Sequence, residues 1–403
     1  MKKRYSSQTP ASATYSATYI KLLLTVLIVF SAYFLPAQVK VVKNASNTNP
    51  TLQFNTIQGN VKLSNAIYND LKNCGWFDMK NSSNADYSIT GNVNSSNLTI
   101  TIADKSPFLS FQLPVSNLNL NLTAHKAVDY ILKKMFNIKQ LCTSKIAFCA
   151  ALGKMKKEIF MCDFDGSNSI QLTYNNTLSV EPDWEPGHKR ILYTLYNKTS
   201  TDIIEYDIPS KRSRRLINFK GLNTGASVSP DGHYFAVILS KDGLVDLYIK
   251  SIETKMIKRL TKSRASESSP CWSPSGAKLC FVSDLKGRPG LYVINATGTG
   301  FRKLNTLGTE AVSPDWSINN KIVYSAKMGS NYSLAVFDLE TGNSKIIINA
   351  AGNWEHPAWA PDGRHIVVAG DIKGKKNLYI VDSKTKRIKG LLGGKYNFSM
   401  PAW

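Results

Sequence analysis

The chain has 403 residues, 43% hydrophobic and 19% charged, a composition that supports a packed core and excludes an intrinsically disordered chain. Fifty basic and 28 acidic side chains give a formal net charge of +22, which favours polyanionic surroundings. The basic residues form no single run and no nucleic-acid-binding motif accompanies them, so nucleic acid is not expected as a partner. Lysine bias on a solvated surface explains the charge as well as a polyanionic ligand does.

Residues 1–37 read as an export signal. Lys2, Lys3, Arg4 and Lys21 lie in a basic leader, an apolar run follows over residues 22–35, and Pro36-Ala37 offers a cut site before Gln38. The run is shorter than the roughly 20 residues that span a bilayer, so cleavage is expected over a retained anchor. Losing the leader removes those four positive charges and no acid, leaving +18. A soluble protein outside the cytoplasm is expected. The polyanions met there are lipid head groups, lipopolysaccharide or cell-wall polymer.

Residues 38–142 read as a mixed α/β domain. A first strand is expected over 39–42, a helix over 60–71, strands over 87–93, 98–103 and 108–113, and a second helix over 124–136. In the second helix Ala124, Val128, Ile131, Leu132, Met135 and Phe136 share one face, and Thr123 is the expected N-cap. His125, at the start of that helix, is expected to be exposed.

Residues 143–403 repeat. Blocks of the Pro-x-Trp-Ser-Pro-Asp-Gly type place Trp184, Val228, Trp272, Trp316, Trp359 and Trp403 at one recurring position, 43 or 44 residues apart. A period of about 40–50 residues built only from strands and turns indicates propeller blades. Turns such as Pro230-Asp231-Gly232 and Pro361-Asp362-Gly363 follow the recurring position: proline presets φ, aspartate bonds nearby backbone, and glycine accepts positive φ. The sixth unit holds only its first strand, 398–403. Its other three strands match 145–149, 158–163 and 169–172, so blade six should be a composite of both ends of the domain, leaving no open sheet edge. The fold expected is thus an N-terminal mixed α/β domain followed by an all-β six-bladed β-propeller with a composite closing blade. The recurring tryptophans are read as blade packing, a role Val228 fills equally.

Chemistry-bearing groupings are sparse. There is no Gly-x-Ser-x-Gly elbow, no His-Glu-x-x-His helix and no glycine-rich phosphate loop. His125, His188, His233, His356 and His365 show no ligand spacing, and His188 and His233 beside blade turns should be exposed. No enzyme activity and no cofactor are expected. Cys149/Cys162 and Cys271/Cys280 could each face one another across a hairpin, as disulfides or as buried thiols. Glu181, Glu267, Glu310 and Glu355 recur near the recurring strand in four repeats. Gathered at one channel mouth they would suit a cation or a basic partner; otherwise they are solvated loop carboxylates.

The Ser-Pro-Asp-Gly repeats, together with residues 69–77 (NDLKNCGWF), 85–91 (ADYSITG) and the segment 123–148, resemble the TolB family, the periplasmic propellers of the Tol–Pal system. That resemblance covers residues 38–403. It implies a monomeric periplasmic scaffold that docks a Pal-like lipoprotein on one propeller face and a TolA-like inner-membrane protein through its N-terminal segment. Such a scaffold is peripheral to the outer membrane through its partners and supports envelope integrity and invagination in division. By position, the propeller-face contacts would be Leu222, Asn223, Glu267, Ser268, Ser269, Glu310, Glu355 and His356. The N-terminal contacts would be Gln38, Val39, Lys40, Val41, Val42 and Lys43, within a segment (38–46) that can add a strand to a partner's sheet. Where the family often has histidine in the second-blade loop, this chain has Leu222. An envelope polyanion- or glycan-binding propeller is the alternative.

Overall fold

The computed structural model describes residues 48–116, 119–348 and 350–403. The leader, the strand expected at 39–42 and the segment Gln38 to Lys43 lie outside the described residues.

The N-terminal region forms one five-stranded sheet. β1 (Thr51–Phe54) lies between β2 (Asp78–Lys80) and β3 (Tyr87–Val93), parallel to both, and β4 (Asn97–Ala103) and β5 (Pro107–Pro114) extend it antiparallel. Two helices, α1 (Val61–Asn73) and α2 (Leu120–Phe136), pack together and bury their apolar faces. Asparagine side chains cap both: Asn60 accepts from the Leu63 amide at 3.0 Å and Asn119 from the Leu122 amide at 2.9 Å. α2 therefore starts four residues before the expected position, because Asn119 supplies an earlier cap than Thr123. His125 then falls inside the helix and is 3% exposed, which corrects the expectation that it meets solvent.

The remaining strands form six four-stranded antiparallel sheets. Five are built from consecutive strands; the sixth is ordered Asn397–Ala402, Lys145–Gly153, Lys156–Asp163, Ile170–Gln171. Phe398 opposes Ala150 and Ala402 opposes Ala147, so the last strand seals the ring as its repeat pattern requires. Apolar cores lie between blades rather than within them. The cluster of Ala147, Cys149 and Ile159 with Trp184, Ile191 and Tyr193 joins blade 6 to blade 1, and equivalent clusters fill the other five interfaces. Trp184, Val228, Trp272 and Trp359 all sit in these inter-blade cores, where burial of a large apolar side chain stabilises by roughly 2–3 kcal/mol.

All six cysteines are buried free thiols. Cys271 and Cys280 are direct cross-strand partners, but Cys149 faces Ile159 and Cys162 faces Ile146. The second pairing is therefore out of register. Burial pushes the Cys149 and Cys162 thiols up to about 12, so both are inert.

The α/β region and the ring belong to one compact unit, Ala45–Trp403, joined by two buried polar clusters. In the first, His125 Nδ1 meets Asp70 of α1 at 2.6 Å, and His125 Nε2 lies 3.5 Å from Asp163 of blade 6, which also pairs with Lys145. Burial lowers the His125 pKa, but its hydrogen bonds to Asp163 and Asp70 outweigh that and raise it to about 9. Burial likewise lifts Asp70 to about 6 against the opposing effect of His125. In the second cluster, Trp76 donates to Asp362 at 3.0 Å and stacks under the Arg364 guanidinium, 4.7 Å from its ring centre. Arg364 also donates to Asp382 at 2.6 Å and to Asn49 at 2.8 Å, while His365 meets Asp362 at 2.6 Å.

Candidate functional site

Strands in a blade alternate in direction, so its hairpins alternate between two faces of the ring. The Pro-Asp-Gly-type turns and the turns between third and fourth strands leave by one rim, here the turn face. The hairpins between second and third strands, and the links to the next blade, leave by the other, the loop face. Asp163, Asp362, Arg364 and Asp382, which tie the ring to the α/β region, all lie at the turn rim. The loop face carries no such contact among the described residues.

An axial cavity of about 180 Å³ runs between the innermost strands. Three residues before each recurring Trp-type position stand Glu181, Gly225, Ser269, Ser313, His356 and Met400, and every one has φ between 48° and 61°. In each blade the pairing with the second strand slips at this residue, making a β-bulge. All six line the cavity. Only Gly225 takes that backbone freely; in the other five it costs on the order of 1 kcal/mol each, a strain characteristic of functional positions.

Carboxylates inside the ring bind neighbouring blades together. Glu181 accepts from the Thr194 hydroxyl at 2.8 Å and, across the interface, from the Thr224 hydroxyl at 2.5 Å and the Gly225 amide at 3.0 Å. Asp183 accepts from the Val228 amide at 3.0 Å, and Asp315, three blades on, from the Trp359 amide at 2.6 Å. Burial raises Asp183 to about 7 and also raises Asp315. Residue patterns did not single out these two aspartates; their recurrence directly before a Trp-type position, at Asp183-Trp184 and Asp315-Trp316, was the available signal.

The four glutamates do not form one ring. Glu181 stands three residues before its Trp-type position, Glu355 four, Glu267 five and Glu310 six, so only Glu181 lines the cavity. Glu267 is buried, and burial raises it to about 7. Glu310 pairs with Lys327 at 2.7 Å and accepts from the Tyr332 hydroxyl at 2.7 Å, and these bonds lower its pKa. Glu355 pairs with Lys376 at 3.1 Å. Among the described residues, no three His, Cys, Asp or Glu side chains group to hold a metal ion.

The propeller-face residues suggested by resemblance occupy the loop face and the channel entrance, at different depths. Leu222 is half-buried, its amide donating to Ser240 Oγ at 2.8 Å. Asn223 is fully buried and holds the Thr201 and Phe219 carbonyls at 2.7 Å. Ser268, Ser269, Glu310, Glu355 and His356 are all half-buried. His356 lines the cavity with Nδ1 unpartnered, and burial lowers its pKa. On the turn face His233 is exposed as expected, but His188 is half-buried against Trp184, 5.2 Å between ring centres.

Comparisons with known proteins agree with this architecture. The Tol-Pal system protein TolB of Francisella tularensis subsp. tularensis (strain WY96-3418) is 27% identical over 283 residues, 66% of this chain and 64% of the relative. The protein of the same name from subsp. mediasiatica (strain FSC147) gives the same figures. The match thus spans less than two thirds of these curated relatives' length. The crystal structure of TolB from Acinetobacter baumannii superposes with a TM-score of 0.80 at 21% identity, over 88% of this chain and 96% of that one. A putative TolB from Agrobacterium tumefaciens gives 0.53 at 15% identity, over 60% and 90%. These structural likenesses concern the fold. The family profile described as the TolB beta propeller domain matches residues 132–403, and the chain belongs to that family.

Proposed function

We propose that this protein is a periplasmic, non-enzymatic adaptor of a Tol–Pal system. It docks a Pal-like lipoprotein on the loop face around the channel entrance, and it engages a TolA-like inner-membrane protein through residues 38–46. In that role it supports outer-membrane integrity and invagination during division. The observation that carries this reading is the asymmetry of the ring: the α/β region occupies the turn face, while the loop face and its strained entrance residues stay open. Family membership, and the name shared by the curated relatives, support it further. No helix of the described residues is long and apolar enough to cross a membrane, which accords with a protein held at the envelope by its partners.

The test is a pull-down of the chain beginning at Gln38 against outer-membrane lipoproteins and inner-membrane extracts, in parallel with the chain beginning at residue 47. A Pal-like lipoprotein should be retained by both, and a TolA-like protein only by the longer chain. Retention of no Pal-like lipoprotein by either would sink the proposal.

A further inference from the structure

The two faces of the ring differ sharply in charge. Counting only residues that connect the propeller strands, the loop face carries ten basic and three acidic side chains, a net charge of +7. The turn face carries seven basic and six acidic side chains over the same kind of segment, a net charge of +1. The three acids of the loop face are all engaged locally: Asp242 by Lys241 at 2.9 Å, Asp284 by the Ser266 amide at 2.8 Å, and Glu310 by Lys327. The positive field of that face is therefore not cancelled from within.

Apolar side chains stand among these cations at the loop tips. Met155 beside Lys154, Tyr196 near Lys198, Phe219 beside Lys220 and Leu285 beside Lys286 come from blades 6, 1 and 3, and each apolar member is more than a third exposed. Met155, at the tip of a two-residue hairpin, is 68% exposed. All these tips leave by one rim, so they project on the same side of the ring. Lys241 sits over the Phe219 ring, 5.7 Å from its centre, keeping a cation against an apolar tip. A soluble polyanion would be served by the cations alone, and a compact protein centred on the channel would reach only part of so wide a rim. A flat surface with negative charge outside and hydrocarbon beneath uses both features and reaches every tip.

We propose that the loop face lies directly on an anionic phospholipid surface, with lysines at the head groups and the tips of Met155, Tyr196, Phe219 and Leu285 entering the interface. This goes beyond the adaptor reading, since it needs no protein partner; a membrane against these tips covers the channel entrance too, so lipid and lipoprotein occupy the face in turn.

The test is co-sedimentation of the chain beginning at Gln38, without the apolar run of residues 22–35 that would itself bind lipid; Ala45–Trp403 forms a compact unit of its own. Vesicles of phosphatidylcholine with 30 mol% phosphatidylglycerol are compared with pure phosphatidylcholine. Binding to the anionic vesicles should be at least tenfold tighter and should weaken as salt is raised. Lys154→Gln/Lys198→Gln/Lys220→Gln/Lys286→Gln should lose at least tenfold, and Met155→Ser/Tyr196→Ser/Phe219→Ser/Leu285→Ser at least fivefold. Both should melt like the parent, because every altered side chain is exposed. Turn-face changes Lys189→Gln/Lys211→Gln/Lys255→Gln should leave binding unchanged. Equal binding to the two vesicles, no binding to either, or full binding by the apolar-tip variant would overturn the proposal. No lipoprotein is present, so these outcomes are independent of the pull-down.

Discussion

The two faces of this propeller are made from the same repeat and differ in what they hold. At the turn face, tight Pro-Asp-Gly turns and buried ion pairs hold the α/β region: Trp76 on Arg364 and Asp362, His125 between Asp70 and Asp163. At the loop face, the hairpins and links are basic and carry apolar side chains, and the polar groups near the channel are held in strained backbone. The contrast places the contacts that hold the α/β region at the turn face and leaves the loop face open for the recognition proposed above. Changes at the turn face and seam should alter folding, and changes at the loop tips should alter binding while leaving folding alone.

The largest effect should come from the seam itself. A chain ending at Gly394 lacks the strand Asn397–Ala402, opens the edge of Lys145–Gly153 and unpacks Phe398 from Phe148. A loss of at least 5 kcal/mol is expected, comparable to the whole stability of many domains, read as a collapse of the cooperative thermal transition. An unchanged melting curve would disprove the closure. Next is Trp76→Ala, which removes both the hydrogen bond to Asp362 and the cation–π contact with Arg364. Denaturant unfolding should show a loss of about 3 kcal/mol.

His125→Gln should cost about 2 kcal/mol at pH 6 and progressively less as pH rises. The sign follows from the raised pKa: protonation of His125 stabilises the fold fully below about 6.5, its unfolded value, and this is lost as pH climbs through about 9. Asp70, lifted to about 6 by burial, completes its own ionisation at the lower end of that interval. Parent and variant melting temperatures should converge across it. Smaller still is Asp183→Asn, expected to stabilise by about 1 kcal/mol at pH 8. Burial raises Asp183 from its ordinary 3.8 to about 7, so the stability of its protonated form is full near pH 4, falls as pH rises and is lost by about pH 7; near pH 4 the amide should gain little.

Much of the fold was legible because the repeat has a physical cause. Every blade needs a bulky apolar group in the inter-blade core, so Trp184, Trp272 and Trp359 recur at a fixed interval and Val228 can stand in. The composite sixth blade followed from the same arithmetic. The burial of His125 was not legible, since its partners Asp70 and Asp163 lie 55 and 38 residues away on other elements. Nor was the register of Cys149: the tight hairpin at Lys154-Met155 sets Cys149 opposite Ile159, three residues short of Cys162. The four glutamates looked equivalent as loop acids, but strand side chains alternate, and offsets of three, four, five and six residues send them to different surroundings. The strained entrance residues were hidden for a different reason: among them only Gly225 is of a type that announces positive φ.

The division of labour between the faces is tested most directly by equilibrium binding of a Pal-like lipoprotein's soluble domain to two matched variants. Leu222→Lys/Glu355→Lys alters the loop face, and Glu253→Lys/Glu340→Lys alters exposed turns on the other. The account predicts at least a tenfold weaker affinity for the first, affinity within twofold of the parent for the second, and both variants folded. Equal affinities, or a loss confined to the turn-face variant, would contradict it.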